Sequence, residues 1–73
     1  MYDEIAKSIR EGEAQGKKIA TFHLEVLMHA EQLDGDEANE FCHRVGVPLS
    51  YATEFRKMLS LAQLMRNRGL VIR

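Results

Sequence analysis

Two apolar stripes, parted by Gly46-Val47-Pro48, constrain this chain more than any other feature. Ahead of the break, Ala38, Phe41, Cys42 and Val45 fall at i, i+3, i+4 and i+7, one complete face of a helix. Behind it, Tyr51, Phe55, Met58, Leu59, Ala62 and Met65 form a second, longer stripe. Gly46 tolerates the left-handed conformation that ends a helix. Pro48 lacks the N–H that simple continuation of the first helix would need. The pattern therefore predicts two helices joined by a tight turn, each with one face to bury.

The rest of the chain also reads as helix. A first segment, about Tyr2 to Ala14, places Ile5, Ala6 and Ile9 on one face, with Asp3 and Glu4 near the positive end of its dipole. Gly12 and Gly16 weaken it, so a frayed or lightly docked helix is expected. A second segment, about Thr21 to Leu33, has Thr21 as its cap and Phe22, Val26, Ala30 and Leu33 on one face. Leu24, Leu27 and Met28 add apolar surface on its other sides. The third runs from about Asp36 to Val45, with Asp34 and Glu37 at capping-box spacing. The fourth starts near Leu49 or Ser50, runs to about Asn67, and is stopped by Gly69. Leu70 to Arg73 is too short to assign; it could form a strand or dock on a partner. The expected fold is all-α: a compact four-helix arrangement with a long final helix, residues 1–73 forming one domain.

Composition narrows the classes. The chain has 73 residues, 45% of them hydrophobic, so disorder is not the default. No apolar run approaches the roughly 18–20 residues that span a bilayer. Met1-Tyr2-Asp3-Glu4 is acidic and lacks an apolar core, so no secretory leader is read there and a cytoplasmic location is expected. The one cysteine, Cys42, has no partner for an intrachain disulfide and reads as a small buried hydrophobe. The formal net charge of −1 hides a division. Residues 1–41 set four cations against ten acids, and residues 42–73 set six cations against Glu54 alone. Such a split fits an acidic support carrying a basic contact surface, or two halves that attract each other.

The run Glu40-Phe41-Cys42-His43-Arg44-Val45-Gly46-Val47-Pro48-Leu49-Ser50-Tyr51-Ala52-Thr53-Glu54-Phe55-Arg56-Lys57 resembles the helix-turn-helix of phage repressors and related bacterial regulators. Phe41, Val45 and Val47 supply the apolar lock, Cys42 the small residue at the crossing, and Gly46 the turn. The resemblance places a helix-turn-helix at about residues 36–57 and implies double-stranded DNA as partner. On the second helix Ser50, Thr53, Arg56, Lys57 and Ser60 gather opposite the apolar stripe, with Glu54 at the edge and Tyr51 at the start. Ser and Thr suit bases or phosphates, Arg56 and Lys57 phosphates, and Arg44 the backbone from the preceding helix. Further on, Leu61, Ala62, Leu64 and Met65 make the helix apolar nearly all round. A homodimer through Leu61, Leu64 and Met65 is expected, as two half-sites would require.

Other chemistry is set aside. His23, His29, Cys42 and His43 fit no metal-ligand spacing, and Asp34-Gly35-Asp36 continues into Ala38 and Asn39, not into a calcium loop. No metal and no cofactor are expected. Adjacent Cys42 and His43 point to different helix faces, so no catalytic dyad and no enzyme are expected. Lys17-Lys18 reads as a solvated pair at a helix start. The leading reading is a DNA-binding transcription regulator or DNA-associated accessory factor. The alternative is a helical protein–protein interaction module that uses the apolar long helix and the charge-asymmetric surface.

Overall fold

A computed structural model describes residues 1–72; Arg73, the last cation of the basic half, lies outside the described residues. Among these, five α-helices occur and no strand: α1 Tyr2–Ala14, α2 Lys18–Met28, α3 Ala30–Leu33, α4 Ala38–Val45 and α5 Ala52–Asn67. A 3-10 turn, Leu49–Tyr51, leads into α5. The fold is all-helical with a long final helix, as the pattern predicts, but with five helices in place of four. The extra one arises at His29, where the backbone leaves helical geometry and separates α3 from α2. The apolar stripe continues across this break: Phe22, Val26, Ala30 and Leu33 are all buried.

The first helix is not the lightly docked element expected. Ile5, Ala6, Ile9 and Gly12 are all buried, and α1 lies along α2 as an antiparallel hairpin. Gly16, at φ +73°, turns the chain between them. Lys17 N–H donates to the Gly12 carbonyl at 2.8 Å, closing the end of α1. Across the hairpin the Ser8 hydroxyl donates to Glu25 at 3.2 Å. Gly12 does not weaken α1 in this setting; it lets α2 approach. A Cβ built on Gly12 would overlap Oγ1 of Thr21 and stand 2.7 Å from the Thr21 Cβ.

Thr21 itself is not the cap. Helix α2 begins a turn earlier, at Lys18, and the Thr21 hydroxyl donates back to the Lys17 carbonyl at 2.7 Å. Nor does Asp34 cap α4. Asp34 closes α3, and Glu37 is the N-cap of α4, its carboxylate accepting from Asn39 N–H at 3.0 Å and Glu40 N–H at 3.1 Å. The helix accordingly starts at Ala38, two residues after the expected Asp36.

Helix α5 closes the core from the other side. It packs on α2, α3 and α4, and its backbone does not come close to α1. Phe22, Phe41 and Phe55 meet at the centre, each essentially without solvent contact. Exchanging Gly12 for Ala gains about 1 kcal/mol of helix propensity in an exposed helix. Here the collision with Thr21 reverses the sign, and Gly12→Ala is expected to destabilise by about 1–3 kcal/mol in urea unfolding. The double variant Gly12→Ala/Thr21→Gly should recover part of that loss.

Candidate nucleic-acid interface

The turn between α4 and α5 has the geometry its residues demand. Gly46 sits at φ 76°, ψ 32° as the C-cap of α4, and Val47 N–H donates to the Cys42 carbonyl at 3.0 Å. Pro48 is extended at φ −59°, ψ 148°, and directs the chain into the 3-10 turn. Three contacts then hold α5 against α4. Phe41 stacks on Phe55 with ring centroids 4.5 Å apart. Val47 is buried beneath the turn. Cys42 is completely buried in the core cluster, and burial pushes its thiol pKa up, as befits an unreactive packing residue.

The outer surface of this unit carries the polar residues. Ser50, Thr53, Arg56, Lys57 and Ser60 are exposed. Thr53, Lys57 and Ser60 stand at i, i+4 and i+7, on the side of α5 opposite Phe55 and Ala62. Arg56 lies to one side of that line and enters no ion pair among the described residues.

Four of the expected contact residues, Arg44, Tyr51, Glu54 and Lys57, are engaged inside the chain. Tyr51 is half-buried, its ring edge-on to Phe22 at 5.1 Å. Glu54 is half-buried too, and accepts from His23 Nε2 at 2.8 Å and from Lys57 Nζ at 3.3 Å. These two bonds, that of His23 foremost, hold its carboxyl pKa below the usual range. Arg44 lies over the Tyr2 ring at 4.7 Å and pairs with Glu40 at 3.6 Å, while the Tyr2 hydroxyl donates to Asp36 at 2.6 Å. Its guanidinium is directed to the start of α1, although the side chain keeps about half its exposure.

Two residues set aside in the sequence, His23 as a metal ligand and Lys18 as one of a solvated pair, stand beside this surface. His23 ties α2 to the first turn of α5 through Glu54. Lys18 lies over the Tyr51 ring at 5.7 Å and pairs with Glu13 at 3.5 Å, which brings a further cation to the start of α5. Their contacts with Glu54 and Tyr51 have no sequence signal, because α2 and α5 are far apart along the chain. Of the expected dimer residues, Leu61 and Leu64 are exposed and Met65 is half-buried. Among the described residues no cluster of His, Cys, Asp or Glu could hold a metal ion, and no helix is long and apolar enough to cross a membrane.

A short helix, a glycine turn and a second helix locked across the first define a helix-turn-helix domain. The chain belongs to the family described as the HTH-like domain, whose sequence model matches residues 1–68. No curated protein and no solved structure matches it.

The bonds at the start of α4 carry a pH prediction. Backbone N–H groups, that of Asn39 first, hold the Glu37 carboxyl pKa below its ordinary 4.5. A lowered folded-state pKa gives stability that is present above the unfolded value and lost as pH falls through the folded one. Glu37→Ala should therefore lower the Tm at pH 7, and the deficit against the parent should shrink at pH 3. Thermal unfolding followed by circular dichroism at the two pH values checks this.

Proposed function

We propose that this chain is a non-enzymatic, cytoplasmic DNA-binding protein, acting as a transcription regulator or DNA-associated accessory factor. The 3-10 turn and the first turns of α5 enter the major groove. Ser50 and Thr53 meet bases or phosphates, and Arg56, Lys57 and Lys18 neutralise phosphates. The observation that carries this reading is the exposed polar line on α5, presented by a helix that Phe41, Phe55 and Gly46 fix to its neighbour. Two copies, meeting through Leu61, Leu64 and Met65, read two half-sites.

The rival reading, a protein–protein interaction module, draws on one specific observation. Arg44 and Lys57 are paired with acids of their own chain, so two of the expected phosphate contacts start out partly neutralised. DNA must draw Lys57 away from Glu54 to use it.

Fluorescence anisotropy with mixed genomic duplex fragments separates the two. Binding should weaken steeply with salt, by a slope of about −0.9 per phosphate contacted. Arg56→Ala and Lys57→Ala should each flatten that slope by about one contact. Glu54→Gln, which releases Lys57, should tighten binding. No binding at low salt by a folded protein would overturn the DNA reading and favour the interaction module.

A further inference from the structure

A groove with exposed apolar residues lies where the ends of α2, α3 and α5 meet. Of ten large hydrophobic residues left exposed, eight lie on α2, Ile19 among them, on α5 or just after it. Leu24 and Met28 lie one turn apart on α2, and Leu61 and Leu64 on α5. The Leu70–Ile72 segment supplies the rest, with Val71 68% exposed. This segment is turned back by Gly69, at φ +73°, and by Leu70 N–H donating to the Met65 carbonyl at 2.8 Å. It forms one wall of a groove of about 330 Å³ whose other walls are the ends of α2, α3 and α5, with Leu27 and Met65 among its lining residues. A scatter of single exposed apolar residues needs no explanation, but Met28, Leu70, Val71 and Ile72 are exposed along one groove, and such a set marks an interaction surface.

Charge says what covers it. Glu31 and Arg66 both line the groove, yet no ion pair joins them or ties either to another residue among the described ones. An apolar floor flanked by one unpaired acid and one unpaired base is self-complementary. A two-fold axis brings residue i to residue j and j to i, so both charges are met at once.

We propose that a second copy of the chain covers this groove, each copy laying its Leu70–Ile72 segment into the other's groove and Glu31 facing Arg66 of the partner subunit. The inference rests on the dimer part of the proposed function and not on DNA binding.

Sedimentation equilibrium of the full chain across micromolar to millimolar concentrations tests it without DNA. The parent should be a dimer. Val71→Asp should raise the dimer Kd at least 100-fold with its thermal unfolding as a monomer unaltered. Glu31→Arg and Arg66→Glu should each weaken the dimer about 10-fold or more, and the double variant should restore it. A dimer that ignores Val71→Asp, or a charge reversal that the double variant fails to rescue, overturns this interface while leaving dimerisation through Leu61 and Leu64 standing. A parent that stays monomeric throughout overturns both.

Discussion

The stack of Phe41 on Phe55 is the contact on which the other elements depend. It joins α4 to α5, and Phe22 packs against Phe41 edge-on at 5.9 Å, bringing in α2. Tyr2 then approaches Phe41 at 6.2 Å and brings in the start of α1. Four helices thus converge on a single ring. A domain of this size buries little surface by comparison with larger ones, so a few large side chains at the centre supply most of the apolar burial. The price is that α5 can hold only its first half against this cluster. Beyond Phe55, Ala62 is the one residue of α5 that is buried, and the helix end projects with its apolar residues uncovered.

Local sequence carried the elements whose causes are local. The bounds of α1 follow from its apolar face and Gly16. The end of α4 follows from Gly46, and the start of α5 from Pro48. Each depends on residues within one or two turns, which is the range that periodicity and capping rules describe. One misreading originates in a contact between two helices, and the other two in the local path of the chain. Gly12 looks like a helix weakener until Thr21 is packed against it. Thr21 looks like a cap until α2 is seen to begin at Lys18. Asp34 and Glu37 both have the chemistry of a cap, and only the path of the Leu33–Asp36 turn decides that Glu37 takes the role.

The surface was legible to a different degree. Helical spacing correctly separates Ser50, Thr53, Arg56, Lys57 and Ser60 from the core face, since all five are exposed. It does not reveal that Glu54, one position from Thr53, is held by His23 from another helix. The division into acidic and basic halves has a partial structural reading as well. Lys18 to Glu13 and Arg44 to Glu40 are pairs within the acidic half or at its border, whereas His23 to Glu54 crosses between the halves. The basic half is therefore only partly neutralised by folding: Arg44 and Lys57 are paired, whereas Arg56, Arg66 and Arg68 enter no ion pair among the described residues.

This remainder gives α5 its division along the axis. Thr53, Lys57, Ser60 and Leu64 succeed one another on the same exposed side, so the helix changes from polar to apolar over about two turns without rotating its face. Exposed apolar residues here are not needed for the core, because Phe55, Ala62 and the half-buried Met58 and Leu59 already fill the inward face. A helix that met only solvent would have no physical reason to place leucine at 61 and 64, where Lys or Glu would hold the helix equally well and add solubility. Both ends of α5 are thus better explained by surfaces outside the chain than by its own packing. The start offers hydrogen bonds and positive charge, and the end offers apolar area, so the two surfaces call for partners of different chemistry.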